Sequence, residues 1–151
     1  MSTVTEQQMY QPLEESFNYD KFHFQLIARQ GDVALFAKTK PTHTIPGYEV
    51  VIVQKHEAHT FPSGKSYPPR EAMPANEDWG KKAWTPGTWR LAIPFFKSVV
   101  YDLRAWDEPV RWLWPGKPWP MPDNEWVLNR ELWEKQHGPP SGWRTEQEEA
   151  A

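Results

Sequence analysis

The segment FHFQLIARQGDVALFA, residues 22–37, decides the fold. Polar His23, Gln25 and Arg29 alternate with mostly apolar residues in its first half, and a period of two is typical of a β-strand. A Gln-Gly-Asp tripeptide at 30–32 then provides a turn, after which the chain is apolar again. The segment therefore predicts two antiparallel strands joined by a tight turn.

A third strand is predicted at YEVVIV, residues 48–53. Its nearly continuous apolar character indicates a central place in a sheet. Residues 60–76 hold four prolines and few periodic apolar residues, so we expect an ordered loop there. The three predicted strands lie near 21–29, 32–38 and 48–55 and form an antiparallel meander.

One helix is predicted after the sheet, with Thr85 as its N-cap and Pro86 in its first turn. Apolar residues then recur at helical spacing, which marks one buried stripe: Trp89, Ile93, Phe96, Val100 and Leu103. Pro94 falls inside the stripe without shifting its phase, so we predict a kinked helix, with a broken helix as the alternative. The predicted fold class is α+β, a small three-stranded antiparallel sheet packed by one kinked helix.

Charge and proline content divide the chain into four segments. Residues 1–20 carry acids but no lysine or arginine and are predicted to be a mobile tail. Residues 21–104 form the predicted core domain. Residues 105–143, rich in tryptophan and proline, are predicted to form a strap followed by a second helix that begins near Asp123. Residues 144–151 form a second acidic tail.

Composition excludes several classes of function. The 151 residues include no cysteine, which excludes disulfides and thiolate zinc sites. The net charge is −3, so no overall positive field attracts nucleic acid. No apolar run approaches the ~20 residues of a membrane span, and the N-terminus lacks a signal-peptide pattern. We therefore expect a cytoplasmic protein that does not contact a membrane.

No motif indicates catalysis, a cofactor or a metal site. The chain has neither a serine elbow nor a glycine-rich phosphate loop. His56 and His59 would point to opposite faces of an extended chain, which disfavours a shared metal. Carbohydrate binding stays open, because aromatic rings and neighbouring carboxylates suit a sugar. We predict that the protein is not an enzyme and binds neither a cofactor nor a metal.

The tryptophan- and proline-rich segment is the predicted protein interface. It holds more tryptophans than a small core accommodates easily, and about half of these rings are expected to pack inward. Tryptophan and arginine most often anchor interfaces, and rings held by proline lose little entropy on binding. Leu128 and Leu132 lie on a different helix face from Trp133, which leaves one apolar face for a second layer or a partner. The candidate interface residues are Arg111, Trp112, Trp114, Trp119, Trp126 and Trp133.

A second hypothesis uses the mildly basic middle of the chain. Residues 21–104 hold twelve bases against seven acids, with aromatic residues among them. Proteins that bind single strands combine basic grooves with aromatic stacking. The candidate nucleic-acid-binding residues are Lys65, Arg70, Lys81 and Lys82.

Four short motifs resemble a pattern found in small uncharacterised phage- and prophage-encoded proteins. They are YEV at 48–50, EAMP at 71–74, EDWGK at 77–81 and AWT at 83–85. In that family a YEV strand is followed by a variable loop, the stretch EAxPxxEDxGKxAWT and a helix. The resemblance covers residues 22–96 and implies a phage or prophage origin and an accessory role. From their own chemistry, Trp79 and Trp84 are predicted to fill the core.

The sequence therefore favours an accessory protein that binds a host protein, as an inhibitor of a defence or transcription factor. Association with a second copy is another use of the same surface. The alternatives are single-stranded nucleic-acid binding and a structural role in the virion.

Overall fold

The computed structural model describes residues 10–113 and 127–137, and within them a six-stranded antiparallel sheet forms the centre. The three predicted strands are its middle: β2 (Phe22–Gln30), β3 (Val33–Lys40) and β4 (His43–Ile52). Three short strands extend it: β1 (Ser16–Tyr19), β9 (Ala83–Trp84) and β10 (Val110–Trp112). The prediction of a three-stranded sheet is wrong, because strands of two to four residues are too short to show a period.

Two of the added strands share one edge of β2. β1 pairs with the first half of β2 and β10 pairs with its last three residues, both antiparallel. The change of partner falls where β2 bulges after Leu26, whose N–H donates to the carbonyl of Glu15. The N–H of Leu113 donates to the carbonyl of Ile27. The two short strands therefore lie end to end, and β1 comes from the segment that was predicted to be a tail.

The turn between β2 and β3 contacts the chain that leads into β10. Gly31 has a φ of +60°, and a Cβ on it would lie 3.2 Å from the Cβ of Ala105. Gln30 is buried, and its Nε2 donates to the carbonyls of Trp106 and Glu108 at 3.3 and 3.1 Å. These contacts require a residue without a side chain at the turn and position β10 against β2.

Helix α1 (Trp89–Asp102) covers one face of the sheet, called here the helix-side face. Its N-cap is Thr88, whose side chain accepts from the N–H of Leu91 at 3.3 Å, so the predicted cap at Thr85 is wrong. The helix runs through Pro94 without interruption, which excludes the broken-helix alternative. Phe96 and Val100 of the predicted stripe are buried, whereas Leu103 follows the helix and is exposed.

Short segments cover the opposite face, called here the second face. They contain β5 (Gln54–His56), which pairs with β8 (Arg70–Ala72), β6 (His59–Thr60), which pairs with β7 (Ser66–Tyr67), and a 3₁₀ helix (Asn76–Asp78). Leu13, Phe17 and Met73 pack against the buried residues of this face. Those residues are Phe24, Leu26, Ala34, Phe36, Val51, Val53 and Ala83.

Helix α2 (Arg130–His137) packs on the helix-side face through Trp133. It does not extend back to the predicted start near Asp123, because residues 127–129 are not helical. Asn129 precedes its first residue, and its Oδ1 accepts from the N–H of Leu132 at 3.1 Å. Neither α1 nor α2, the helices of the described ranges, is long and apolar enough to cross a membrane.

Candidate functional site

An aromatic row crosses the second face next to a buried carboxylate. The strand register places Phe17 opposite Phe24, and Phe36 opposite Glu49. The rings of Phe17 and Phe24 stack with centroids 5.1 Å apart, and Phe36 meets both rings edge-on at 5.7 and 6.4 Å. Because residues directly opposite each other in a sheet point to the same face, three rings and one carboxylate lie together.

Glu49 is the buried charge of this face. It is 2% exposed, and its Oε1 lies 3.0 Å from Nζ of Lys38. Its second oxygen, Oε2, has no hydrogen-bond partner among the described residues. Burial raises the pKa of Glu49, and the hydrogen bond and charge of Lys38 oppose that change. The ammonium group of Lys38 also lies 4.1 Å from the centre of the Phe22 ring, where a cation is favourable.

A two-pronged ion pair fixes the cover over this face. The guanidinium of Arg29 donates to both carboxylate oxygens of Glu71 at 2.7 Å. Glu71 also accepts from the N–H of Leu13 at 3.0 Å, and its own N–H donates to the carbonyl of Gln11 at 2.8 Å. The hydrogen bond from Arg29 lowers the pKa of Glu71, against the opposing effect of burial. The ion pair therefore holds β8 and residues 11–13 on the sheet.

A cavity of about 360 Å³ remains between the sheet and this cover, called here the Glu49 cavity. Phe17, Phe24 and Glu49 line it from the sheet, and Tyr19 lines it from the end of β1. Arg70, the segment 72–75 and Trp79 line it from the cover. Trp79 is 38% exposed and belongs to neither buried cluster, so the prediction that it fills the core is wrong. Trp84 does pack on the helix-side face, as predicted.

Three of the four sequence motifs converge on this cavity. Glu49 belongs to YEV, Met73 and Pro74 belong to EAMP, and Trp79 belongs to EDWGK. They are distant in sequence, and no motif or spacing predicts a site role for any of them. The signal that could have identified Glu49 is a single charge inside the otherwise apolar strand YEVVIV.

A second concave region, called here the hairpin cleft, lies beside β6 and β7 and has a volume of about 600 Å³. His56 and His59 both line it, because the strand is interrupted at residues 57–58. The prediction that they point to opposite faces assumed an extended chain, and the interruption at 57–58 removes that condition. Within the described ranges, no group of three histidine, aspartate or glutamate residues could hold a metal ion. Phe61 and Tyr67 line the same cleft and are 44% and 38% exposed.

The four predicted nucleic-acid-binding residues are all exposed but do not share one cavity. Arg70 lines both the hairpin cleft and the Glu49 cavity. Nζ of Lys65 lies 5.4 Å from the centre of the Tyr67 ring. Lys81 and Lys82 lie in the turn before β9, where Nζ of Lys82 donates to the Gln54 side chain at 3.3 Å.

The predicted interface tryptophans fall in two groups. Trp112 and Trp133 are half-buried and pack against the helix-side cluster. Trp114, Trp119 and Trp126 lie outside the described residues. Arg111 is exposed on β10, and its guanidinium pairs with the carboxylate of Glu15. The structure thus brings Trp112 and Trp133 to the same buried cluster.

Polar contacts fix the orientation of α2. Glu134 accepts from the hydroxyl of Tyr101 at 3.0 Å and from Nε of Arg130 at 2.9 Å. Burial raises the pKa of Tyr101, and the bond to Glu134 acts in the same direction. Leu132 and Val127 take no part in these hydrogen bonds and are 51% and 39% exposed. They line a groove of about 320 Å³ together with Lys97, Leu128 and Gln136. We call it the α1–α2 groove.

Comparison of the chain with protein-family models, with curated proteins and with solved structures gave no match. The resemblance to phage-encoded proteins stays a prediction that rests on the motifs alone.

Proposed function

We propose that this protein is a phage- or prophage-encoded accessory factor that binds a host protein in the bacterial cytoplasm, as an inhibitor of a defence or transcription factor. The observation that carries the proposal is a pair of exposed apolar side chains, Leu132 on α2 and Val127 just before it. None of the eight residues of α2 is buried, yet Leu132 and the adjacent Val127 are apolar and exposed beside the α1–α2 groove. An apolar centre with a polar rim is the usual anatomy of a protein interface.

The contacts that fix α2 on the core support its role as a binding surface. A helix of eight residues is not stable on its own, because nucleation is unfavourable and few backbone bonds follow. Here Trp133 and the bonds of Glu134 fix it on the core. A surface that is ordered before binding loses less entropy on association. Leu132 is therefore presented in a fixed position.

The test compares two exposed leucines. Leu132→Asp introduces a charge into the α1–α2 groove, and Leu91→Asp introduces the same charge on α1 outside it. Tagged proteins are used to capture partners from nuclease-treated bacterial lysate, and the captured partner is then purified and titrated. We expect an affinity loss of about thirtyfold for Leu132→Asp, typical of a central interface residue, and little change for Leu91→Asp.

Equal binding by the two variants, with both folded, contradicts the proposal. Sedimentation of the purified protein tests whether the same surface binds a second copy of the chain. Self-association that is lost only in Leu132→Asp assigns the surface to a second copy of the chain, or to a virion assembly, instead of a host protein.

A second candidate, single-stranded nucleic-acid binding, is favoured by the hairpin cleft. Phe61 and Tyr67 are exposed rings whose centroids lie 5.5 Å apart, with Arg70 in the same cleft. Stacking on such rings is worth about 1–3 kcal/mol for each base. We expect Phe61→Ala to weaken binding of a labelled single-stranded oligonucleotide at low salt. Absence of binding by the parent protein, or equal binding by Phe61→Ala, contradicts this candidate.

A further inference from the structure

The Glu49 cavity has a closed floor and an open mouth. Glu49 and Phe24 are 2% and 5% exposed, whereas Tyr19 and Trp79, which line the same cavity, are 61% and 38% exposed. The volume of about 360 Å³ lies near the lower end of the range of ligand pockets, about 300–1,000 Å³. The cavity therefore suits one small ligand that reaches the floor from solvent.

The cavity walls favour a flat ligand. Phe17 and Phe24 stack on each other within 12° of parallel, and Trp79 adds an indole ring at the mouth. Aromatic side chains stack on planar heterocycles through their π-faces and show little dependence on which heterocycle is present. Met73 and Pro74 complete an apolar wall, which excludes water from such a ring.

The floor requires a hydrogen-bond donor from the ligand. Lys38 uses Oε1 of Glu49, while Oε2 is buried and accepts no hydrogen bond from the part of the chain that the structure describes. A buried acceptor without a donor is unfavourable, and a donor supplied by a ligand removes that penalty. Because Oε2 itself is closed to solvent, the Glu49 side chain must turn toward the cavity, and an N–H group on the edge of a flat heterocycle then meets this requirement.

The charges around the cavity favour an anionic group over a cation. Lys38 balances the charge of Glu49, and Arg70 adds an exposed positive charge to the lining. A guanidinium binds a phosphate with two parallel hydrogen bonds. A flat base with N–H groups, joined to a phosphate, combines the three properties that the cavity selects.

We propose that the Glu49 cavity binds the base of a nucleotide, with an N–H of the base on Glu49 Oε2, the ring on Trp79 and a phosphate on Arg70. The base belongs either to a free nucleotide or to a single strand, since both present this chemistry. The proposal goes beyond the binding of a host protein, because none of these residues lies in β10 or α2. It also differs from the second candidate, which places bases on Phe61 and Tyr67.

The test uses AMP, CMP, GMP and UMP as probes, each titrated into the full chain by calorimetry. Trp79→Ala and Glu49→Gln alter the cavity, and Phe61→Ala is the matched control because it removes a ring of similar exposure from the hairpin cleft. We expect at least one nucleotide to bind with a Kd below about 1 mM. Trp79→Ala and Glu49→Gln should each weaken that binding about tenfold or more, and Phe61→Ala should leave it unchanged.

A further variant, Arg70→Ala, tests the phosphate contact. It should weaken binding of the nucleotide and leave binding of the corresponding nucleoside unchanged. An oligonucleotide of eight identical bases distinguishes the two sources. Tighter, salt-sensitive binding of the oligonucleotide assigns the base to a single strand, and equal binding assigns it to a free nucleotide.

The proposal is overturned if no nucleotide binds at about 5 mM, well above the expected Kd. It is also overturned if Trp79→Ala binds as the parent does, or if Phe61→Ala alone loses binding. Trp79 lies outside both buried clusters, so its variant is expected to fold and decides the question even if Glu49→Gln does not fold. Leu132→Asp should bind nucleotide normally, so the two proposals succeed or fail separately.

Discussion

The two faces of the sheet are buried in different ways. On the helix-side face one continuous helix packs Phe96 and Val100 against the strands, and these side chains are fully buried. On the second face several short segments are held by the Arg29–Glu71 ion pair, with a second ion pair at Glu49 beneath them. Close apolar packing fills the first face, whereas directional bonds position the cover of the second. The Glu49 cavity lies where that cover does not fill the space above the sheet.

The largest expected effect is on the helix-side face. Phe96→Ala should lower the free energy of unfolding by ~3–5 kcal/mol, because it removes a fully buried ring and leaves a cavity. Urea denaturation measures the change. Leu91→Ala on the same helix is the control, since Leu91 is 59% exposed and should change stability by less than about 0.5 kcal/mol. If Phe96→Ala unfolds no more easily than Leu91→Ala, the helix-side core is wrongly assigned.

An intermediate effect is expected from the ion pair of the second face. Glu71→Gln keeps the shape of the side chain but removes the charge that Arg29 binds. We expect a loss of about 2 kcal/mol, since hydrogen bonds to charged groups are worth about 1.5–3 kcal/mol. Glu14→Gln, at an exposed carboxylate, is the control. A Glu71→Gln protein as stable as the control would mean that the ion pair does not hold the cover.

The smallest effect distinguishes the two carboxylates of the second face by pH. The pKa of Glu71 is lowered, so its contribution to stability is present above the unfolded pKa and is lost as the pH falls through the folded pKa. The pKa of Glu49 is raised, so its contribution is present below the unfolded pKa and is lost as the pH rises through the folded pKa. The free energy of unfolding of the parent minus that of Glu71→Gln should therefore increase with pH. The free energy of unfolding of the parent minus that of Glu49→Gln should decrease with pH.

Urea denaturation of the parent and both variants at about pH 4 and about pH 7 measures how these two differences change with pH. The two pH values are chosen because unperturbed glutamate titrates near 4.3. Slopes of the same sign would show that the two carboxylates do not occupy opposite environments.

The middle of the fold could be predicted from the sequence because its signals are local. Alternation located β2, the apolar run after the turn located β3, and the apolar run at 48–53 located the second half of β4. The edge strands could not be predicted in this way. Ser16–Tyr19 and Val110–Trp112 are strands because β2 offers them its unpaired backbone groups, and that partner is not visible in their own residues.

The candidate site was harder to predict than the fold. Phe17, Glu49, Met73 and Trp79 come from four separate segments, and no spacing in the sequence links them. Trp79 was predicted as a core residue because tryptophan is usually well buried. Its position after a short 3₁₀ helix places it at the cavity mouth instead. Only Glu49 carries a local signal, since an acid within a buried strand needs a partner or a function.

The shared edge of β2 also imposes an order on folding. β1 closes the first half of that edge through a hairpin, in which Tyr19 pairs with Phe22 only three residues later. The second half stays open until Val110 is available to pair with Gln30, eighty residues further along the chain. Until then a nascent chain presents unpaired backbone groups along the strand edge at 28–30, and such edges pair readily with other chains. The closing segment 110–113 therefore protects the protein against aggregation, and variants that weaken it should reduce the soluble yield before they reduce the stability of the folded protein.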